Sequence, residues 1–186
     1  MSGVAYMPDM AMTGIDAVSD PRLRGLVDYW AVLRGADRLA PDRHHLDPAQ
    51  IQHLLPWIML LDVLADDYRY RLVGTGLDGL FGRALTGTTL RQSWPAHLGD
   101  HWRHWMDRAS RQACPVATTA VLNTRRGRLR LDAVILPLSN QPDRVDMLLC
   151  GASGSSMRRQ SSPLLRPTDE VVADELVSFE ASVLTL

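Results

Sequence analysis

Three histidines with helical spacing are the residues whose types and positions could most directly do chemistry. His97, His101 and His104 stand at i, i+4 and i+7 in a segment with a helical apolar pattern, so their side chains share one face. Such a face can bind a metal ion or present an axial ligand to haem. The apolar stripe, which includes Trp102, lies about 100° around the helix. The histidines are therefore expected to flank the core.

A second group of residues could line a binding cavity. The guanidinium of Arg71 can grip a carboxylate or phosphate through its bidentate fork. The alternative, which we favour, is a salt bridge to Asp62 or Asp78, or a place on an exposed sheet face. Aromatic candidates are more often simple core residues. The cavity candidates are Trp57, Tyr70, Arg71, Thr75, Phe81 and Trp102.

Motifs of catalysis are missing from the sequence. There is no GxGxxG or Walker A loop. The segment Gly151–Ser155 lacks the glycine spacing of a nucleophile elbow. No nucleophile has a credible base beside it. We therefore predict that the protein is not an enzyme.

Composition indicates a globular domain with terminal extensions. The 186 residues are 46% hydrophobic and carry a net charge of −1, which gives no electrostatic reason to expect a nucleic-acid partner. Two cysteines, Cys114 and Cys150, make neither a disulfide framework nor a metal cluster. The longest apolar runs are too short to span a bilayer, and no signal peptide is evident. A cytoplasmic location is expected.

The first strong element is a helix that begins at Asp20 and Pro21. Asp20 is a good N-cap, and Pro21 suits the first helical position. Leu23, Val27 and Trp30 fall on its apolar stripe. The stripe either packs on its own domain or also buries Trp30 against a second subunit. We carry the second reading forward as a homodimer prediction with these three residues at the interface, and residues 1–19 are expected to be a flexible leader.

Five strands follow, with helices inserted between the second and third. The predicted strands are Trp57–Val63, Tyr68–Thr75, Thr118–Asn123, Arg128–Leu138 and Val145–Cys150. A glycine-punctuated segment (76–87) and a long helix from Pro95 to about Gln112 stand between the second and third strands. Hairpin-length connections imply antiparallel pairing. This order predicts an α+β fold whose helices lie on one face of the sheet.

The composition changes after Gly151. Small and polar residues predict a flexible linker from residue 152, followed by an acidic, amphipathic tail that reaches residue 186. A helix can begin at Thr168. The tail is either a helix or strand folded back onto the domain, or a segment that docks on a partner. The domain itself is placed at residues 20–151.

Several segments in this order resemble a PAS domain, and specifically the bacterial, largely alphaproteobacterial subfamily of stand-alone PAS proteins. The segments are LVDYWAVLRG (Leu26–Gly35), LDPAQIQHLLPWIMLLDV (Leu46–Val63), YRYRLVGTGLDGLFGRALTG (Tyr68–Gly87) and LPLSNQPDRVDMLLCG (Leu136–Gly151). The resemblance implies a five-stranded antiparallel sheet, flanked by helices, that encloses a ligand cavity. It also implies a dimeric, non-catalytic signalling module.

Two functions are carried forward from these observations. The first is a sensory or regulatory module that acts by binding a small ligand, by contacting a signalling protein, or by both. The alternative is a haem-based redox or gas sensor, because haem-binding PAS domains take their ligand histidine from the helix before the third strand. That helix carries His97, His101 and His104 here.

Overall fold

The computed structural model describes residues 13–14, 18–35, 39–124, 127–141, 144–157 and 173–186. Two sequence predictions fall wholly or largely outside these ranges: the leader at 1–19 and the segment 158–172 with its helix start at Thr168. The sequence also predicts turns at 125–127 and 141–143, and residues 125–126 and 142–143 of these turns lie outside the described residues as well.

The first helix, α1 (Pro21–Arg34), begins where the sequence predicts. The Asp20 carboxylate accepts a hydrogen bond from the Arg22 backbone at 2.8 Å, and Gly35 ends the helix with a φ of 61°. Its apolar stripe is buried against the chain's own sheet, and the Trp30 indole donates to the Pro137 carbonyl at 2.7 Å.

The predicted interface on α1 is therefore corrected. Leu23, Val27 and Trp30 are at most 2% exposed within a single chain. Side chains already packed on their own sheet are not available to a second subunit. The first of the two sequence readings, a helix that packs on its own domain, describes the structure.

Asp47 and Pro48 also predict the start of a second short helix, but consecutive turns stand there instead, between two 3-10 segments. The segments are Arg43–His45 and Leu55–Trp57. Backbone bonds such as Gln50 to Asp47 and Leu54 to Ile51 span three residues, so the chain is wound more tightly than an α-helix.

Seven strands of the described residues form one sheet in the order β1-β7-β4-β5-β6-β2-β3. All neighbours are antiparallel except β1 and β7, which are parallel. The strands are β1 (Thr13–Gly14), β2 (Ile58–Val63), β3 (Tyr68–Val73), β4 (Val116–Thr124), β5 (Gly127–Leu138), β6 (Met147–Met157) and β7 (Ala173–Thr185). The α+β prediction is confirmed, and β2 to β6 are the five expected strands.

The predicted linker is wrong for residues 152–157, because β6 continues to Met157. It pairs with β5 as far as Arg128 opposite Met157. Strand pairing uses backbone groups, so a run of small residues can take part. Gly154 also has a packing reason, since a Cβ atom there would lie 2.8 Å from Leu80 Cδ1.

The tail folds back as a strand rather than a helix over residues 173–185. β7 pairs with β4 from Val116 opposite Val183 to Thr124 opposite Ala173, with two shifts of register. Leu176 and Val183 are buried in the core. Of the two interpretations of the tail, a segment folded back onto the domain describes these residues.

The remaining helices are α2 (Thr75–Phe81), α3 (Leu90–Ser93) and α4 (Ala96–Gln112). They cover one face of the sheet in a single apolar cluster, while α1 covers part of the opposite face in a second cluster. The prediction that all helices lie on one face is thus wrong, because both faces of β5 and β6 are apolar. Within the described residues, no helix is both long and apolar enough to cross a membrane.

Candidate functional site

A cavity of about 40 Å³ lies between the sheet and helices α2 to α4. The helical side is lined by Phe81, Trp94, Trp102 and Met106. The sheet side is lined by Met59, Tyr70, Thr118, Leu131, Ala133, Val134, Ile135, Cys150 and Ala152. The walls are therefore almost entirely apolar.

Small side chains on the central strands leave this space. Ala133 of β5 stands opposite Ala152 of β6, and Cys150 stands opposite Ile135 two residues along. Alternate residues of a strand point to the same face, so Leu131, Ala133 and Ile135 all face the helices. Alanine at two neighbouring positions cannot reach across to α4 as leucine would.

Tyr70 and Trp94 form the wall at the β3 end. The Trp94 indole donates to the Tyr70 hydroxyl oxygen at 3.0 Å. The Phe81 ring meets Trp94 edge-on at 5.4 Å between ring centroids. Burial raises the pKa of Tyr70, so its hydroxyl stays neutral. A neutral phenol hydroxyl that accepts a bond from Trp94 still has a proton that it can donate.

Thr118 supplies the polar atom at the β4 end. Its residue is 4% exposed, and its Oγ1 is a buried polar atom for which the described residues provide no hydrogen-bond partner. Burying a hydroxyl without a partner is unfavourable. Four strand-to-strand steps separate β4 from β3, so Thr118 and Tyr70 stand at opposite ends of the cavity.

The Cys150 thiol faces the middle of the cavity and stays protonated. Complete burial raises its pKa far above the ordinary value. A protonated thiol is a poor nucleophile. Of the residues that line the cavity, none carries a charged side chain. The site therefore suits binding rather than covalent or acid–base chemistry.

Three of the six predicted cavity residues, Tyr70, Phe81 and Trp102, line this cavity, and three do not. The prediction is corrected for Arg71, which is exposed and donates to Asp62 at 2.9 Å. Thr75 is exposed at the start of α2. Trp57 packs beneath the Arg22 guanidinium, 4.5 Å from its ring centroid.

Thr118, Cys150 and the paired alanines are cavity residues that sequence reasoning missed. Period-2 alternation in Arg128–Leu138 puts Ala133 on the same face as the apolar residues Leu131 and Ile135. Its small size beside Leu131 and Ile135 was the available signal. Thr118 and Thr119 fall on opposite faces of β4, and the Thr119 hydroxyl donates to Asp132 at 2.6 Å. Which of these faces carries the cavity depends on where the helices pack, and that is not a local feature of the sequence.

The three histidines of α4 lie away from the cavity. His97 and His104 are exposed, and His101 is half-buried with its ring stacked on Phe179 at 5.3 Å. Burial lowers the pKa of His101. No group of three or more His, Cys, Asp or Glu side chains that could hold a metal ion occurs within the described part of the chain. A haem ring is also far too large for the cavity.

Polar contacts fix α4 over the sheet. The Tyr68 hydroxyl donates to Asp107 at 2.5 Å, and Arg103 pairs with Asp67 at 3.4 Å. Burial raises the pKa of Tyr68, so this hydroxyl remains a donor. The helix that carries Trp102 and Met106 is thus tied to β3 at the edge of the cavity.

The sheet and its inserted helices enclose an apolar cavity, an arrangement that can hold a small molecule. The family model described as PAS domain matches residues 18–152, and the chain belongs to that family. PAS domains are generally non-catalytic sensory or regulatory modules. No curated protein matches the sequence. Strand β7 lies outside the matched range.

Proposed function

We propose that this protein is a sensory or regulatory module in which a small ligand occupies the cavity and alters contacts with a signalling protein. The observation that carries this proposal is a formed cavity with an unpartnered hydroxyl, Thr118, on its wall. A ligand can alter these contacts only if the domain has two states and the ligand binds one of them more tightly than the other. We place the protein in the cytoplasm and in bacterial signalling, following the subfamily that its segments resemble.

Trp102 supports a route from the cavity to strand β7. Its ring lines the cavity and packs on Phe179 of β7 at 4.6 Å between centroids. A ligand that shifts this indole changes the packing of β7. Residues 173–185 are then the segment whose position reports whether the cavity is filled.

Contact with another copy stays a prediction. Leu23, Val27 and Trp30 are buried within the chain, so a homodimer would use another surface. A constitutive adaptor is the second form of the same module. In that form, filling the cavity leaves partner contacts unchanged.

The test fills the cavity with a side chain. Ala152→Leu adds three heavy atoms where Ala152 now stands opposite Ala133, and Ala96→Leu at the exposed start of α4 is the matched control. Amide hydrogen exchange of the full chain is measured without ligand and in the presence of each compound of a library of small neutral and charged molecules. We expect at least one compound to protect β7 in the wild type and in Ala96→Leu, but not in Ala152→Leu.

Ligand sensing is excluded if no compound changes amide exchange in the wild type and if folded Ala152→Leu binds the same partner proteins as the wild type. Constitutive contact then remains as the function.

A further inference from the structure

We propose that the cavity takes a short, neutral molecule with an apolar body and one hydroxyl or carbonyl group, whose oxygen is bound by Thr118. This inference rests on the proposed function and names the chemical class of its ligand. It follows from three properties of the cavity: its charge, its polar atoms and its size.

Charge excludes ionic ligands. Of the residues that line the cavity, none is Asp, Glu, Arg, Lys or His. Arg71, the sequence candidate for an anion, points to Asp62 on the exposed face. Moving a carboxylate or phosphate from water into apolar walls without a paired cation is strongly unfavourable. A neutral ligand avoids this loss.

The polar atoms select an oxygen-bearing group. Thr118 Oγ1 can donate to a carbonyl oxygen, or it can both donate to and accept from a hydroxyl. Because no described residue bonds to it, a ligand oxygen satisfies a group that is otherwise buried alone. The rest of the wall near Thr118, with Leu131 and Ala133, is apolar and suits the ligand's carbon atoms.

Size limits the ligand to a few atoms. One water needs about 10–15 Å³, and an engineered cavity of about 150 Å³ binds benzene. At about 40 Å³ the site lies between them. The unbranched side chains of Met59 and Met106 can adjust to irregular shapes. Roughly two to four non-hydrogen atoms therefore fit, as in a short alcohol, aldehyde or ketone.

The test uses 2-propanol and acetone as neutral probes, with acetate as the matched anion. Binding is followed by NMR of labelled methyl groups, with the Cβ of Ala133 and Ala152 as reporters inside the cavity. We expect saturable shifts with 2-propanol and acetone, and none with acetate. Thr118→Val keeps the shape and removes the hydroxyl, so it should weaken both neutral probes by about tenfold. Thr185→Val, on the exposed end of β7, should leave binding unchanged.

A second readout needs no ligand. Thr118→Val should raise the midpoint of thermal unfolding, because it removes a buried hydroxyl without a partner. The proposal is overturned if acetate binds as well as 2-propanol, if Thr118→Val binds the neutral probes like the wild type, or if only water reaches Thr118.

The proposed function survives such a failure if another class of compound still protects β7 and Ala152→Leu abolishes the effect. The proposed function and this inference fail together only if no compound changes amide exchange in the wild type. The two outcomes are therefore distinguishable.

Discussion

Gly74 stands where β3 passes into α2, pressed against the turn at Leu55–Trp57. Its backbone amide donates to the Ile58 carbonyl at 2.9 Å. A Cβ atom on Gly74 would lie 2.5 Å from the Pro56 carbonyl oxygen and closer still to that of Leu55. Both obstacles are backbone atoms, so they cannot rotate away.

Gly74→Ala should therefore destabilise the fold by about 3 kcal/mol or more, at the upper end of single substitutions. Chemical denaturation followed by tryptophan fluorescence measures this loss. Gly79→Ala is the control, because a Cβ atom in that part of α2 meets nothing within 4 Å. It should be neutral, or stabilising by up to about 1 kcal/mol. Equal effects of the two substitutions would contradict this account.

Asp20 gives the protein a specific dependence on acid. Its hydrogen bond with Arg22 lowers the pKa of Asp20 from 3.8 to about 2. The ionised form is favoured in the folded state, so its contribution to stability is complete above about pH 4 and is lost as the pH falls through 2.

Asp20→Asn keeps a capping oxygen and removes the charge. The free energy of unfolding of the wild type should thus fall towards that of Asp20→Asn between pH 4 and 2. Asp20→Ala also loses the cap and should cost about 1 kcal/mol at pH 7. Urea titrations at several pH values measure both. A constant gap between wild type and Asp20→Asn across this range would refute the assignment.

For a single residue, the sequence predicts whether the side chain is buried or exposed when a local pattern decides that environment. Alternation along β3 separates buried Tyr70 from exposed Arg71, and a cap signal identifies Asp20. The lack of a partner at Thr118 depends on atoms from α4 and β5. No local pattern carries that information.

Strand β7 is the element that adds most to the family fold. It covers the edge of β4 that would otherwise present unpaired backbone groups. Phe179 anchors it by packing between His101 and Trp102 of α4. The pairing joins segments far apart in sequence, and therefore the sequence did not decide between a helix and a strand for this acidic stretch.

Phe179→Ala should loosen β7 without unfolding the domain. We expect a loss of about 1–2 kcal/mol, because the ring is half-buried. Amide exchange in residues 173–185 should quicken, while exchange in β2 and β5 stays slow. Glu180→Ala, which changes an exposed neighbour, is the control. Uniform acceleration across the whole sheet would show that β7 is not a separable unit.

The whole molecule is a sheet with apolar side chains on both of its faces. Helices α2 to α4 and the cavity lie on one side, and α1 lies on the other. The strand runs predict the fold class, since their order and hairpin spacing are local features. The face that α1 covers is decided by the apolar residues of β5 and β6 that point away from α2 to α4. The sequence of α1 alone suits a subunit interface equally well.

Trp30→Ala tests this arrangement. The side chain is fully buried, and its indole bonds to Pro137, 107 residues away. We expect a loss of about 3–5 kcal/mol in stability. Val32→Ala, which changes an 82% exposed residue on the same helix, should have little effect. A folded Trp30→Ala protein of unchanged stability that elutes at a smaller size would instead restore the interface interpretation.

The pairing of β4 with β7 has a consequence for synthesis on the ribosome. Thr124 pairs with Ala173, which is 49 residues further along the chain. At roughly 5–20 residues per second, the edge of β4 stays open for about 2–10 s after β4 itself has emerged. Nascent chains are exposed to edge-to-edge association during this interval. Slower translation or a premature stop before Ala173 should therefore reduce soluble yield more than the stability of the finished protein would suggest.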